Sequence, residues 1–404
     1  MTHRVVVTGM GVIAPIGRSV EEFRDALFAG RSGIGPITVF NPAALPTRIA
    51  AEVKWDGEVM RDRKVTFAHA AADQAMADAT RNGTHPTGAG GLSLGLGLEL
   101  FSMDDLAAKR RGAPMPDGAR ERLLYLQTPS DLCVPLLARR FELREPPATH
   151  VSACAAGTDA IGSAFRMIAS GRRRWMMAGG ADSMINPLGV AGFCSIGATS
   201  TANEDPPRAS RPFDRKRSGF VLGEGAGVLI LERLDDARER GAEMYAEISG
   251  YGASFDAHGI SEPHPEGRGA VQAMSRALAE AKVDPAEIDC INAHGTATPK
   301  NDPVETLAIK RLLGPRAHVV PVCATKSMIG HLIAAAGAVE TIAAIVGMRA
   351  SIAHPTINLD HPDPACDLDY VPHRARPHAQ RAVLSNSFAF GGQNASIVLK
   401  RVDA

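Results

Sequence analysis

The stretch Arg4-Val5-Val6-Val7-Thr8-Gly9-Met10-Gly11 is matched later in this 404-residue chain by Tyr245-Ala246-Glu247-Ile248-Ser249-Gly250-Tyr251-Gly252. In each stretch, a short run that is typical of a strand leads into Gly-x-Gly. A long segment with further strand patterns follows each of them. We therefore predict two related halves, residues 1–244 and 245–404.

Strand-like and helix-like segments alternate along the chain. Residues 5–7, 175–178 and 228–234 have the short apolar runs of buried strands, whereas residues 19–29 and 65–79 have helical spacing. Alternation of this kind predicts an α/β protein.

The composition excludes several classes of protein. The chain has 44 Lys+Arg against 44 Asp+Glu and only 5% aromatic residues, so we expect no nucleic-acid-binding surface. None of the six cysteines forms Cys-x-x-Cys, which argues against a zinc site or a disulfide scaffold. The longest apolar stretch, residues 332–348, contains Glu340 and predicts a buried helix, not a membrane span. The first apolar run is too short for a signal peptide, so we expect a cytoplasmic protein.

The first motif that could carry chemistry is Gly9-Met10-Gly11-Val12-Ile13-Ala14, which matches the dinucleotide-binding fingerprint Gly-x-Gly-x-x-Ala. That fingerprint also requires an acidic residue about 20 positions on, at the end of a second strand. Residues 37–40 end in Asn41-Pro42 instead. A nicotinamide enzyme is therefore disfavoured.

The second motif is Val151-Ser152-Ala153-Cys154-Ala155-Ala156-Gly157-Thr158. A strand pattern at residues 150–152 precedes the cysteine, and apolar residues at helical spacing follow it as far as Gly171. Cys154 is thus predicted at a helix N-terminus, where backbone N–H groups and the helix dipole favour a thiolate. A buried structural cysteine is the alternative.

Two histidines lie at predicted element ends further along the chain. They occur in Asn292-Ala293-His294-Gly295-Thr296 and in Lys326-Ser327-Met328-Ile329-Gly330-His331. A lone histidine is more often structural, but two of them together with a helix-capping cysteine indicate a catalytic site. Metal ligation is an alternative, although no further ligands occur at zinc-site spacing.

A last motif, Ser385-Asn386-Ser387-Phe388-Ala389-Phe390-Gly391-Gly392-Gln393-Asn394, lies near the C-terminus. Its glycine pair predicts a tight turn whose backbone N–H groups can face a ligand. A plain hairpin turn is the alternative.

Taken together, these motifs resemble those of β-ketoacyl-acyl-carrier-protein synthases of the elongating type, and the resemblance covers residues 5–397. It rests on Thr8-Gly9-Met10-Gly11, Ser152-Ala153-Cys154, Arg211-Pro212-Phe213-Asp214, Gly223-Glu224-Gly225-Ala226-Gly227, Asn292-Ala293-His294-Gly295-Thr296, Thr325-Lys326-Ser327, Gly330-His331 and Asn386-Ser387-Phe388. It implies the thiolase-like fold, with two duplicated α/β halves in five layers, and a homodimer or a heterodimer with a related subunit.

The resemblance also implies a decarboxylative Claisen condensation between an acyl group and malonyl-acyl-carrier protein. Cys154 would take the acyl chain, with the N–H groups of Cys154 and Phe390 forming the oxyanion hole. His294 and His331 would donate hydrogen bonds to the malonyl thioester oxygen while carbon dioxide leaves. We expect no redox cofactor and no metal, because decarboxylation drives the reaction.

Supporting roles are implied in the same way. Lys326 would count among the catalytic residues, and with Glu340 it would hold His331. Thr296 and Thr298 would contact the phosphopantetheine arm. Two aromatic side chains would line the substrate pocket, namely Phe193 and Phe388.

Acyl-carrier protein is the implied partner, and its acidic surface requires local positive charge on a neutral synthase. The cluster Arg61-Asp62-Arg63-Lys64 starts a predicted helix in the region where the family docks its carrier. We therefore expect Arg61, Arg63 and Lys64 to bind the carrier protein.

This chain departs from the family pattern at several positions. Ala389 stands where the family has a glycine in the loop that gates the acyl pocket, and Ala334 stands where a glycine is common. Residues 197–202 lack the usual arginine. A specialised pathway, such as polyene or polyketide assembly, is therefore an alternative to primary fatty acid synthesis.

Two other functions are weighed against condensation. A chain-length-factor-like subunit has the same fold but loses the nucleophile, whereas this chain has Cys154. A degradative thiolase acts on coenzyme A thioesters and uses a second cysteine near the C-terminus, and residues 385–394 contain none.

Overall fold

The computed structural model describes residues 3–60, 62–97, 110–112 and 132–402. Its strands are β1 Val5–Ile13, β2 Gly35–Pro36, β3 Ile49–Ala50, β4 Gly90–Leu96, β5 Ala148–His150, β6 Trp175–Ser183, β7 Glu224–Arg233, β8 Ala246–Phe255, β9 Cys290–Asn292, β10 Val322–Cys323, β11 Ile352–Ala353, β12 Arg376–Pro377, β13 Ala382–Phe388 and β14 Gln393–Lys400.

The first helix begins where its sequence signal predicts. Ser19 caps α1 by accepting the Glu22 N–H, as its position predicts. The helices are α1 Val20–Phe28, α2 Arg63–Ala79, α3 Cys133–Arg140, α4 Ala156–Ala169, α5 Pro187–Ser195, α6 Leu234–Glu239, α7 Arg268–Ala281, α8 Asn301–Leu313, α9 Lys326–Ile329 and α10 Ala336–Ala350.

The order of the strands repeats within the chain. The main sheet of the described residues runs β10-β9-β13-β14-β8-β1-β7-β6-β4-β5. Two series of five strands run outward from the centre of this sheet, β1-β7-β6-β4-β5 on one side and β8-β14-β13-β9-β10 on the other. The strands at corresponding positions in the two series run in corresponding directions. In each series the two inner pairs are antiparallel and the two outer pairs are parallel. The fold is therefore an internal duplication, and its two half-sheets meet where β1 pairs with β8.

The repeated Gly-x-Gly does not end a strand, as the sequence suggested, but lies inside β1 and β8. A Cβ on Gly11 would lie 1.9 Å from the Ala71 carbonyl oxygen of α2, and one on Gly252 would lie 2.1 Å from the Ala273 carbonyl oxygen of α7. Glycine is needed here because a helix backbone packs directly on the strand. The same packing covers the motif that resembles a dinucleotide fingerprint.

The halves stack as five layers. Helix α2 covers the outer face of the first half-sheet, α7 covers the outer face of the second, and α4 and α10 lie between the two half-sheets. Among the described helices, one segment, Ile333–Ala350, is long and apolar enough to cross a membrane, and 89% of it is buried inside the protein. It is a central core helix, as its sequence predicts.

Candidate active site

Cys154 lies in a turn of 3₁₀-helix, Ala153–Ala155, that connects β5 to α4. The predicted strand-to-helix turn is therefore present, although the strand ends at His150. Ala153 has φ 48°, a left-handed conformation that alanine rarely adopts. This tight turn places the cysteine at the amino end of α4, on the wall of a cavity.

The sulfur of Cys154 is buried, and its Sγ lies 3.0 Å from Nε2 of His331. Burial raises the pKa of the Cys154 thiol to about 11, while Lys326 and the backbone N–H groups of Phe390 and Cys154 lower it by less. In the resting site, burial therefore opposes the thiolate that the helix N-terminus is expected to favour. Desolvation of the charged sulfur outweighs the combined effect of Lys326 and the two backbone N–H groups.

Both histidines are held in the tautomer that carries its proton on Nε2. The Ile333 N–H donates to Nδ1 of His331 at 3.1 Å, and the Lys326 ammonium lies 3.3 Å from Nδ1 of His294. Burial holds the pKa of each ring well below its usual value, and the positive charge of Lys326 lowers it further. Two neutral rings, with centroids 5.4 Å apart, thus each have one N–H for the cavity.

Lys326 contacts His294, not His331 as the resemblance implied. Its ammonium donates to the His294 carbonyl oxygen at 2.6 Å and to Glu340 Oε1 at 2.5 Å. Burial raises the pKa of Glu340 to about 7, although Lys326 opposes the shift. Lys326 therefore positions the first histidine directly and acts on the second only through its charge.

Glu305 is part of the site but was not among the predicted residues. From α8, its carboxylate accepts the backbone N–H groups of His294 at 2.7 Å and Gly295 at 2.8 Å. Burial raises its pKa to about 7. The signal was the pair Asp302 and Glu305, one helical turn apart, both of which prove to be fully buried. Acids at that spacing are usually solvent-exposed, so the pattern alone does not distinguish them.

Cys154, His294 and His331 line one cavity of about 260 Å³, and most of the predicted substrate-binding residues line it too. The hydroxyls of Thr296 and Thr298 lie 3.0 Å apart on its wall. Phe388 and Phe390 also line it, whereas Phe193 packs edge-on against Phe220 behind the wall. The cavity therefore brings a cysteine, two N–H donors and an apolar surface together.

Comparison with known proteins decides the family. The model of the beta-ketoacyl synthase N-terminal domain matches residues 2–237, and that of the beta-ketoacyl synthase C-terminal domain matches residues 245–360. The chain belongs to the beta-ketoacyl synthase family. It is a condensing acyltransferase of fatty acid or type II polyketide synthesis.

Relatives of this synthase come from both kinds of pathway. A 3-oxoacyl-[acyl-carrier-protein] synthase 2 of Coxiella burnetii is 41% identical over 99% of each chain. A polyketide beta-ketoacyl synthase 1 of Streptomyces cyaneus is also 41% identical, over 99% of this chain and 98% of its own.

Solved structures of relatives include complexes. A type II polyketide ketosynthase, solved with its acyl-carrier protein and bound to the hexaketide, superposes with a TM-score of 0.90 at 31% identity over all of both chains. The ishigamide ketosynthase/chain length factor superposes with a TM-score of 0.86 at 36% identity, again over all of both chains.

The loop that departs from the family pattern adopts an ordinary conformation at its alanine. Ala389 has φ −102° and ψ 155°, which alanine reaches without strain. Gly391 and Gly392 have φ of 81° and 80°, so the positive values fall on the glycines. Ala334 is fully buried and donates its N–H to Asp182 at 3.0 Å.

The metal alternative is disfavoured by the hydrogen bonds of the synthase. Cys154, His294 and His331 do place three potential ligand atoms within 4.8 Å of one another. However, both Nδ1 atoms have partners, so each Nε2 holds the proton and offers no lone pair to a cation. The Lys326 ammonium beside His294 also repels a metal ion.

The predicted carrier-docking cluster is not available as a cluster. Lys64 is 2% exposed and its ammonium lies 3.1 Å from Asp62, the residue that caps α2. Arg63 turns inward to Glu224, with Nη2 2.6 Å from the carboxylate. Arg61 lies outside the described residues. The prediction that Lys64 binds the carrier protein is therefore wrong, because its ammonium is buried against the residue that caps α2. Arg63 forms an internal ion pair with Glu224 instead of facing a partner.

The two rival functions lose support. A chain-length-factor-like subunit lacks the nucleophile, whereas this synthase has Cys154 and both histidines in one cavity. The thiolase interpretation requires a second active-site cysteine. Among the described residues that line the cavity, Cys154 is the only cysteine.

Proposed function

We propose that Cys154 is the nucleophile of this synthase and carries the growing acyl chain. Sγ attacks the carbonyl of an acyl-carrier-protein thioester, the bond to the pantetheine sulfur breaks, and the thiol proton ends on that departing sulfur. The His331 Nε2–H stabilises the negative charge that develops on the sulfur, since it lies 3.0 Å away. This contact is the observation that carries the proposal.

His294 and His331 then act on malonyl-acyl-carrier protein. Their N–H groups donate to the thioester oxygen while the carbon–carbon bond to the malonyl carboxylate breaks. Carbon dioxide leaves, and the electron pair of the broken bond stays on the enolate. The enolate carbon attacks the acyl-Cys154 carbonyl. The N–H groups of Cys154 and Phe390 hold the resulting oxyanion, and the thiolate leaves and takes up a proton. The product is a 3-oxoacyl thioester two carbons longer.

The remaining residues position these groups. Lys326, with Glu340 as its counter-ion, and Glu305 fix His294 from two sides. Thr296 and Thr298 bind the phosphopantetheine arm. Two aromatic side chains shape the acyl pocket, Phe388 directly and Phe193 through Phe220.

We assign acyl-carrier protein as the partner and a homodimer, or a heterodimer with a related subunit, as the assembly. The division into halves is placed at 244/245. Neither a redox cofactor nor a metal is needed, since release of carbon dioxide drives the condensation, and the cytoplasm is the expected location.

One assay tests the proposal and defines the substrate. Purified synthase is incubated with carrier proteins that bear acyl chains of different length, then with malonyl-carrier protein, and each step is read by intact mass and by the masses of tryptic peptides. We expect an acyl adduct on the tryptic peptide that contains Cys154, followed by a product two carbons longer. An adduct on any other cysteine, with turnover, would contradict the assignment.

A further inference from the structure

The rim of the active-site cavity carries an ion pair that the reaction does not use. One side of the rim is residues 261–263 and the other is residues 298–301. The Lys300 ammonium bonds to the Glu262 carboxylate, so a salt bridge joins the two sides. The side chains are 60% and 49% exposed, respectively. The pair thus lies at the solvent boundary of the cavity.

Lys300 stands out among the groups around the cavity. It is the only lysine or arginine among the described residues that line it. The neighbouring cation, Arg217, is mostly buried and holds the backbone, donating to the Thr298 carbonyl oxygen at 3.0 Å and to Asp363 at 2.5 Å. Of these two cations, Lys300 is therefore the one that can change partners.

The partner that Lys300 now has is easily exchanged. An exposed lysine–carboxylate pair contributes little net free energy, because water screens it and ordering two flexible side chains costs entropy. A phosphate offers a higher charge density and more acceptor oxygens than a carboxylate. A phosphate brought to the rim would therefore compete well for the ammonium.

The position of Lys300 fits such a phosphate. Thr296 and Thr298, which line the cavity, lie four and two residues before it in the chain, and the buried Cys154 also lines the cavity. This argument rests on the proposed function, in which a thioester on a pantetheine arm enters the cavity. The pantetheine part of the arm carries no charge, so its phosphate is the group that a cation at the rim can bind.

We propose that Lys300 leaves Glu262 and binds the phosphate of the incoming phosphopantetheine arm. Glu262 holds the ammonium at the rim in the free enzyme and weakens binding by competing for it. Lys300 could bind either the phosphate of the carrier-linked arm or the diphosphate of coenzyme A. A comparison of acyl donors of the two kinds distinguishes these sources. Lys300 thus distinguishes phosphorylated from unphosphorylated acyl donors.

The test compares two small donors that differ only in the phosphate, acyl-phosphopantetheine and acyl-pantetheine. The readout is the ratio of their kcat/KM values for acylation of Cys154, followed by intact mass. We expect the wild-type ratio to favour the phosphorylated donor by about fivefold, the range of one exposed charge contact. Lys300→Gln should bring the ratio close to one, Lys300→Arg should preserve it, and Glu262→Gln should raise it.

Lys310→Gln is the matched control, because Lys310 lies on α8, the helix that Lys300 directly precedes, and also forms an ion pair, with Asp367. It should keep the wild-type ratio. Acyl-coenzyme A and acyl-carrier protein are then compared in the Lys300→Gln variant. A larger loss with the carrier-linked donor assigns the site to the carrier arm, and a larger loss with coenzyme A assigns it to a free diphosphate donor.

The outcomes separate this inference from the proposed function. If wild-type enzyme acylates Cys154 equally well from both small donors, or if Lys300→Gln keeps the preference, the phosphate site is wrong while the condensing role stands. If no donor acylates Cys154, the proposed function fails and this inference fails with it.

Discussion

The turn that precedes α4 in the first half and the turn that precedes α10 in the second half have the same backbone design but different side chains. Each is a 3₁₀ turn that begins with a non-glycine residue of positive φ, Ala153 at 48° and Ile333 at 46°. The next residue is Cys154 in one half and Ala334 in the other. The strained turn is thus present in both halves, whereas the cysteine is present in only one of the two turns.

The second half supplies a different kind of group. His331, two residues before Ile333, uses the N–H of that turn to fix its tautomer. Glycines at equivalent positions let the two turns meet. A Cβ on Gly157 would lie 2.8 Å from the Ala334 carbonyl oxygen, and one on Gly337 would lie 1.9 Å from the Thr158 hydroxyl. Neither half therefore contains a complete site, and the chemistry is divided between them.

The largest effect is expected from removing Cys154, the nucleophile that we propose in the first half. Cys154→Ala should abolish acyl-enzyme formation and condensation, because no other sulfur lies at the end of the cavity among the described residues. Intact mass after incubation with acyl-carrier protein measures this, and circular dichroism checks the fold. Because the decarboxylating groups lie in the second half, the variant should still release carbon dioxide from malonyl-carrier protein.

Ala334→Cys in the Cys154→Ala background tests the comparison itself. Ala334 is the equivalent position but is fully buried and does not line the cavity. We expect no recovery of acylation. Recovery would mean that the two turns are interchangeable and that the division of labour is not set by the cavity.

The histidines of the second half should have unequal effects. His294→Ala should slow decarboxylation by about 10²–10³-fold, the range for one oxyanion donor, and leave acylation of Cys154 largely intact. His331→Ala should slow decarboxylation similarly and also slow acylation, since its Nε2 contacts Sγ. Single-turnover measurements of adduct formation and of released carbon dioxide separate the steps. Equal loss of both steps in His294→Ala would contradict the assignment.

The sequence contained enough to predict the fold class and to single out the three residues that meet at the cavity. Cys154, His294 and His331 follow strands directly or lie at the start of helices, and such positions show in local patterns. Their supporting contacts depend on tertiary packing. Lys326 was expected beside His331, but its ammonium bonds to the His294 carbonyl oxygen and to Glu340.

Charged residues were the least predictable part. Arg63 and Lys64 form a basic run that usually means a solvent-exposed face, yet both turn towards carboxylates that local patterns do not reveal as partners. Glu305 is the opposite case, an acid that looked exposed but is fully buried and holds the backbone of the His294 loop. The local sequence shows the composition and the spacing of apolar residues, but neither determines which charged side chains are buried in the folded protein.

Stability should respond alike in both halves to the loss of a packing glycine. Gly11→Ala and Gly252→Ala each place a methyl group about 2 Å from a helix carbonyl oxygen, so a helix must shift away from its strand. We expect each to reduce the free energy of unfolding by about 1–3 kcal/mol, as overpacking does. Chemical denaturation measures this. Gly35→Ala is the control, because a Cβ there meets nothing within 4 Å.

The smallest effect concerns how the second half acts on the nucleophile of the first. Burial raises the pKa of Cys154 to about 11, and Lys326 is the largest influence that lowers it. Replacing the ion pair together, as Lys326→Met with Glu340→Gln, removes that cation without leaving a lone buried carboxylate. The pKa of Cys154 should then rise further. Each unit of rise reduces the fraction of thiolate at a pH below the pKa about tenfold.

The rate of iodoacetamide addition to Cys154, followed by peptide mass from pH 8 to 11, measures this shift. Labelling of the wild-type protein should increase with pH across the range, and labelling of the double variant should be slower at each pH. Cys194, which is partly exposed, serves as the internal control and should label at the same rate in both proteins. If the pH dependence of Cys154 labelling is the same in both proteins, only burial and the residue's own helix set the pKa of the thiol. The second half would then supply hydrogen-bond donors for the substrate, while the charge of Lys326 would have no effect on the sulfur.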